Sequence, residues 1–462
     1  MLEVILTTKP DDTIKTKVLV IAKGDKVPSA YKEQAKQQDF KCDEGKLVDF
    51  WDGNQQVILC GVGDKSSKLD WQELGKNLYA KIEKSEQVAI YAKDDEKILN
   101  LVYGVLQGSY SFDKYKTNKK PEEFPALEQV VVKVKNEKKA TEEYKKYVAL
   151  YTGIRYARDL CNEPANCLTP DIFAKDIKRL EYLGLDVEVL DKDNLHLKGL
   201  GLIEAVGQGS TNDPKMVIIS WKGNRNSKGY DLGLVGKGVC FDAGGLSLKT
   251  TQGMLEMKQD MSGAAAVVAA MKSTALRRVK KNLLAIVALV ENMPDGNAMK
   301  VGDVYTSYSG KTVEVNNTDA EGRLIVADAL SFMQKNYKVK KIVDVTTLGS
   351  FNGVLGKVYG GMFANDEKLA TDLLKAGEAS GELLWRMPLN KQYGKALKST
   401  VADIKNVAPD AKASIVSAAF LESFIEKGTK WAHIDMSNMR MDGKGLAAGF
   451  GVKLLNELIG KL

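Results

Sequence analysis

Thr312-Val-Glu-Val-Asn-Asn-Thr-Asp-Ala-Glu-Gly-Arg-Leu324 is the stretch on which the reading of this chain turns. A β-favouring run, Thr312 to Val315, enters a polar segment. A helical pattern follows, with Leu324, Ala327, Leu330 and Phe332 on roughly one face. Strand, polar connection and helix in that order make the repeating unit of an α/β fold, and in such folds sites form at the carboxyl ends of strands. Asp319 and Glu321 stand two apart. In an extended segment both carboxylates point the same way, whereas on a helix they diverge by about 200°. Two co-directed carboxylates suit a divalent cation, and Arg323 can reach the same side. Acidic residues ahead of a helix also complement its dipole, so the pair alone proves little.

Two further clusters supply partners. Val235-Gly-Lys-Gly-Val-Cys-Phe-Asp-Ala-Gly-Gly-Leu-Ser-Leu-Lys249 follows an apolar strand and carries Lys237, Asp242 and Lys249 among glycines that let backbone approach a ligand. By itself it also reads as a glycine-rich turn with surface lysines. A lysine beside a cation serves only as a neutral ligand of depressed pKa. Met257-Lys-Gln-Asp-Met-Ser-Gly-Ala-Ala-Ala266 places Asp260 ahead of a small-residue helix, where an N-cap explains it equally well. Together, Asp242, Asp260, Asp319 and Glu321 offer oxygen ligands and Lys237 a possible nitrogen. Four carboxylates cannot share a pocket as bare anions, and two divalent ions about 3.5–4 Å apart would balance them. Lys249 and Arg323 are left as cations able to stabilise developing negative charge.

The rest of the chain bounds this reading. Its 462 residues are 44% apolar and 27% charged, with a net charge of +7. That is an ordinary soluble globular composition, and the charge only weakly favours acidic partners. Five scattered cysteines without a CxxC pair argue for reduced thiols and against a disulfide framework or thiolate zinc site. With two histidines, His196 and His433, a His-dependent triad or His-rich metal site is excluded. The start lacks secretory features, and the longest apolar run, Leu283 to Val290, is far short of the roughly 20 residues that span a bilayer. A cytoplasmic location without membrane association is expected.

Short β-rich runs alternate with helical patterns throughout. The expected fold is α/β, with a small N-terminal α/β domain over residues 1–137 and a connecting helix over 138–160. A larger catalytic domain follows over 161–462, with a central mixed sheet flanked by helices. The lysine-rich segment 114–146 has interleaved glutamates, so it reads as a solvated linker rather than a nucleic-acid patch. No glycine-rich phosphate loop is present in the first domain.

The three clusters, in this order, resemble the signature of the cytosolic leucyl aminopeptidases, the M17 family of two-metal exopeptidases. The likeness extends to Asn162-Glu-Pro-Ala-Asn, Glu291-Asn-Met-Pro, Trp385-Arg-Met-Pro-Leu, Val401-Ala-Asp-Ile-Lys-Asn, Trp431-Ala-His-Ile-Asp and Gly449-Phe-Gly-Val, and covers residues 150–462. The resemblance implies that Lys237, Asp242, Asp260 and Glu321 hold a tight ion. Asp242, Asp319 and Glu321, with the Asp319 carbonyl, would hold an exchangeable one. A water activated by the two ions would attack the first peptide carbonyl of a substrate with a free N-terminus. Lys249 would polarise that carbonyl, and Arg323 would hold a bicarbonate acting as general base. Zinc, with manganese or magnesium at the looser site, and a homohexameric assembly are implied in the same way.

This chain departs from the family at its expected substrate-binding residues. Thr346-Thr-Leu348-Gly-Ser350 stands where the family reads Ala-Thr-Leu-Thr-Gly, so the Leu348 carbonyl is retained while Ser350 replaces a glycine. Asp435-Met-Ser437-Asn438 replaces Asp-Ile-Ala-Gly in the side-chain pocket that Met257 also lines. A bulkier, more polar pocket predicts a preference for smaller or more polar N-terminal residues. Two other readings are a family fold reused as a weakly catalytic or structural assembly protein, and an aminopeptidase that also binds DNA.

Overall fold

The computed structural model describes residues 2–64, 67–349, 351–408 and 413–462. Ser350, expected to bind substrate, lies outside the described residues. The chain divides into two compact units, Met1–Tyr151 and Thr152–Leu462. The division falls within one helix, Glu137–Asn162. Among the described residues no helix is long and apolar enough to cross a membrane.

The first unit is built on six strands: β1 Glu3–Thr7, β2 Thr16–Ile21, β3 Leu47–Asp52, β4 Gln55–Gly61, β5 Gln87–Tyr91 and β6 Gln129–Lys133. Their order is β1-β6-β5-β2-β4-β3, parallel throughout except for the β3–β4 pair. Side chains alternate across the sheet. One face (Val18, Val20, Ile58, Val88, Ile90, Val130, Val132) packs on helices Lys68–Ile82 and Asp95–Gly108. On the other, Ile21, Val57 and Leu59 pack against Tyr31 and Ala35. The lysine-rich segment is not linker throughout, because β6 lies within it.

Among the described residues the second unit holds eleven strands: β7 Asp186–Leu190, β8 Lys215–Lys222, β9 Leu232–Asp242, β10 Asn282–Asn292, β11 Val304–Thr306, β12 Thr312–Glu314, β13 Lys341–Thr346, β14 Gly360–Ala364, β15 Leu384–Arg386, β16 Ile404–Lys405 and β17 Lys430–Asp435. Eight form one mixed sheet in the order β15-β14-β17-β13-β9-β10-β8-β7. The inner four, β17, β13, β9 and β10, run parallel. β10 is buried along its whole length, as expected of a strand covered on both faces. Its apolar run and that of β9 leave no alternation to expose.

Helix Ser262–Leu276 is rich in alanine, and nearly all of it is buried. Small side chains let it lie close on β9 and β13. Helix Gly322–Tyr337 contributes to the large core cluster with β9, β10 and β13 residues.

Two expectations are corrected here. β9 runs on to Asp242, so Lys237 is a strand residue and the Lys237 cluster is not a glycine-rich turn until after Asp242. The strand through Thr312 ends at Glu314, and Asp319 sits in a turn rather than an extended segment. The final helix begins at Val452, where positive φ at Gly449 and Gly451 breaks the helical path before it.

Candidate metal centre

The carboxyl ends of β9, β10, β13 and β17 lie along one edge of the sheet, and the polar clusters collect there. In a regular strand Lys237 and Asp242, five residues apart, would point to opposite faces. The β9–β10 register shifts between Val290 and Glu291, where Cys240 is left over on β9. This bulge reverses the alternation and puts Asp242 on the side of Lys237.

Lys237 Nζ lies 2.7 Å from Asp260 Oδ2 and 2.9 Å from Glu321 Oε1, and donates to the Thr347 carbonyl at 3.3 Å. All three of these side chains are at most 4% exposed. Lys249 Nζ faces Asp242 Oδ2 at 2.5 Å and also meets Asp319 Oδ1. Lys249 and Asp319 are the open side of the cluster, at 16% and 34% exposed. Asp242, Asp319 and Glu321 each present an oxygen, and these lie within 4.8 Å of one another. Five expected ligands and Lys249 are therefore gathered in one place.

The charges perturb each other. Burial alone would pull the Lys237 ammonium down, but the carboxylates of Asp260, Glu321 and Asp242 outweigh it and hold the pKa above the ordinary lysine value. Burial and the Asp242 charge push Glu321 up to about 7, against the pull of Lys237. Asp260 is raised chiefly by burial, with Lys237 opposing. The N-cap account of Asp260 fails. Neither Met261 nor Glu321, the two helix N-caps, makes a side-chain capping bond, and Asp260 Oδ1 instead accepts from Thr347 Oγ1 at 2.7 Å.

Arg323 is buried. Its Nη1 donates to the Asn406 carbonyl at 2.7 Å, while its Nε has no hydrogen-bond partner among the described residues. Burial draws the guanidinium down to about 10, against the charges of Glu321 and Asp435.

Several supporting residues carry no role in the sequence reading. Asn292, ending β10, donates through Nδ2 to Asp242 Oδ1 at 2.8 Å and to the Thr318 carbonyl at 3.0 Å. Asn406, just after β16, clasps the turn that bears Asp319. Its Oδ1 accepts from Asn316 N at 2.8 Å and Asn317 N at 3.3 Å, and its Nδ2 donates to the Asn317 carbonyl at 2.7 Å. This buried clasp makes a turn, rather than an extended segment, bring the two carboxylates together. The available signal was an asparagine at each strand end.

Gly322 opens the helix directly beneath Lys237. A Cβ there would lie 2.6 Å from Lys237 Nζ and 2.7 Å from Leu348 Cδ2. Gly244, at φ +88°, takes a conformation that side chains disfavour and passes close to Asp319.

Leu348 and Met257 are half-buried, Leu348 against Lys237 and Met257 on the 3-10 turn before Asp260. The Ser437 hydroxyl donates to Asp435 Oδ1, and Asn438 Nδ2 donates to the Gly356 and Tyr359 carbonyls at 2.5 and 2.8 Å. The Ser437 hydroxyl and the Asn438 amide hydrogens are thus engaged within the protein. The histidines take no part in the cluster: His433 Nδ1 lies 2.5 Å from Asp344 Oδ1, and His196 faces Glu204.

The donor set fits a hard divalent cation. Carboxylate oxygens converge, and among the described residues Asp260 Oδ2 and Glu321 Oε1 receive no well-directed hydrogen bond, only the Lys237 charge.

Residues 155–456 match the family model described as cytosol aminopeptidase family, catalytic domain, and residues 12–119 match the N-terminal domain of the same family. A probable cytosol aminopeptidase of Brucella melitensis biotype 1 is 40% identical over 424 residues, 88% of this chain and 87% of its own. One from Rhizobium etli is 38% identical over 458 residues, covering 95% and 90%. A solved structure described as the bottromycin maturation enzyme BotP in complex with Mn is similar with a TM-score of 0.87 and 30% identity, covering 97% of this chain and 99% of that one.

Proposed function

The chain belongs to the cytosol aminopeptidase family and is an aminopeptidase, and from that premise we propose that it is a metal-dependent exopeptidase that removes the N-terminal residue of peptides at a two-ion centre. The observation that carries this reading is the donor set: Asp242, Asp319 and Glu321 converge within 4.8 Å, and Lys237 and Asp260 back them.

Lys237, Asp242, Asp260 and Glu321 would hold the tighter ion, and Asp242, Asp319 and Glu321 the exchangeable one. The gradient of exposure from Lys237 to Asp319 supports that order. Bound divalent ions supply Lewis-acid polarisation of the scissile carbonyl and a nucleophile at neutral pH. To act as a ligand Lys237 must lose its proton, so loading the centre releases protons. Lys249, on the open side, would stabilise negative charge on the carbonyl oxygen. Arg323, whose Nε has no acceptor among the described residues, would hold the bicarbonate base. Met257 and Leu348 would contact the substrate, while Ser437 would contribute through its backbone because its hydroxyl serves Asp435.

The solved relative in complex with Mn supports a divalent ion at this centre; the ions proposed are zinc at the tighter site and manganese or magnesium at the looser one. A cytoplasmic homohexamer is the assembly proposed. The test is hydrolysis of a panel of aminoacyl amides by wild type and Glu321→Ala with manganese added, alongside metal content. The variant should lose metal and activity together, and retained turnover refutes the two-ion assignment.

A further inference from the structure

The first unit carries a groove that the aminopeptidase reaction does not use. The connection from β2 crosses the face where Tyr31 and Ala35 pack on Ile21 and Leu59. The connections leaving β4 and β5 run over the opposite face, where helices Lys68–Ile82 and Asp95–Gly108 lie. The path of the chain therefore reverses between β2 and β5, which are neighbours in the sheet. In open α/β sheets this reversal leaves a crevice at the carboxyl ends of the strands, where ligands bind.

Such a crevice is present. A cavity of about 560 Å³ is lined by the ends of β2 (Leu19, Ile21), β5 (Tyr91) and β6 (Lys133) and by the loops that follow them. The volume falls within the roughly 300–1,000 Å³ typical of small-molecule sites. Its floor is apolar: Leu19, Val20, Ile21, Pro28, Ala92 and Val134.

Its charge is one-sided. Four lysines, Lys26, Lys93, Lys133 and Lys135, line it against two aspartates, Asp25 and Asp95. Both acids are engaged. Asp25 accepts from Lys93 at 2.6 Å, and the Asp95 carboxylate accepts from the backbone N–H of Lys135 at 3.0 Å and of Asn136 at 3.3 Å. Among the described residues Lys26, Lys133 and Lys135 form no ion pair, and the only contact recorded for their ammonium groups is that of Lys133, 5.9 Å from the Tyr91 ring. An apolar floor rimmed by uncompensated cations selects an anion with an apolar body. The acidic first turn of helix Asp95–Gly108 disfavours a bare phosphate seated on its N-terminus.

We propose that this groove binds a small organic anion in which an apolar ring carries a phosphate or carboxylate, of mononucleotide or aromatic-acid size. The test is isothermal titration of the full chain with AMP and, separately, 2-naphthoate. Adenosine and inorganic phosphate serve as controls, and hydrogen exchange locates the contact. At least one of the two anions should bind saturably, protect residues 19–28 and 91–95, and weaken at higher salt. The Lys133→Gln/Lys135→Gln variant should bind at least tenfold more weakly while its aminoacyl-amide turnover is unchanged. AMP binding alone identifies a nucleotide site, and naphthoate binding alone an aromatic-acid site. Absence of saturable binding by both anions, undiminished binding by the variant, or adenosine or phosphate binding as tightly as the anions would overturn the proposal.

Discussion

Gly322→Ala separates the fold from the centre. An added Cβ would stand 2.6 Å from Lys237 Nζ and 2.7 Å from Leu348 Cδ2, where ordinary contacts begin near 3.4 Å. Both obstacles are ends of flexible side chains, so the helix survives and the ammonium yields. Alanine at a helical position gains up to about 1 kcal/mol over glycine. Overpacking costs about 1–3 kcal/mol, and Lys237 is displaced from Asp260 at 2.7 Å and Glu321 at 2.9 Å. A net stability loss of about 1–2 kcal/mol follows from these terms. The effect on turnover is larger, because displacing a positioned group by about 1 Å costs on the order of 10²-fold. Urea unfolding, bound metal and kcat/KM on alanyl and leucyl amides measure the three consequences. A Lys237→Ala/Gly322→Ala double variant no more damaged than Lys237→Ala would locate the clash at the ammonium. Wild-type turnover and metal content in Gly322→Ala would refute the reasoning.

After chelation, the chain should be more stable near pH 5 than near pH 8. Glu321 titrates at about 7 when folded against an ordinary 4.5, so the folded state binds the extra proton and stability falls as pH rises through that window, by about 3 kcal/mol for this group. Urea midpoints measure this, and a flat or rising profile would contradict it. Excess manganese should oppose the trend, since ion binding needs deprotonated ligands. Asn406→Ala removes the clasp on the Asp319 turn and leaves the Asn316 and Asn317 amides without their partner, with an expected loss of about 1–3 kcal/mol and a disproportionate fall in kcat. Thermal melts beside kinetics would show the difference, and equal kcat would sink it. Ser437→Ala should leave the ranking of aminoacyl amides nearly unchanged, because its hydroxyl serves Asp435. Asn438→Ala, which releases the Gly356 and Tyr359 carbonyls, should raise KM.

The α/β class and the family were legible because β9, β10 and β13 are apolar runs and the three clusters keep their order. The short strands were not. β14 is Gly-Gly-Met-Phe-Ala and β16 is two residues long, so neither has a periodicity to read. The acidic residues were identifiable from their types, but the reason they meet was not. Asp242 reaches the centre through a bulge at Cys240, and Asp319 through a turn held from Asn406, 87 residues away in sequence. Both depend on pairing between distant segments, which a local pattern does not encode. For the same reason the hydrogen bonds of Ser437 to Asp435 and of Asn438 to the Gly356 and Tyr359 carbonyls become visible only once the chain is folded.

β17 is the last strand among the described residues, yet it lies between β13 and β14. During synthesis, β13 and β14 emerge well before the strand that joins them. Until residues 430–435 leave the ribosome, each presents an unpaired edge, the kind of surface on which chains associate wrongly. Slow translation of the last segment should therefore lower the soluble yield, and chaperones that shield extended chain should matter most in that interval.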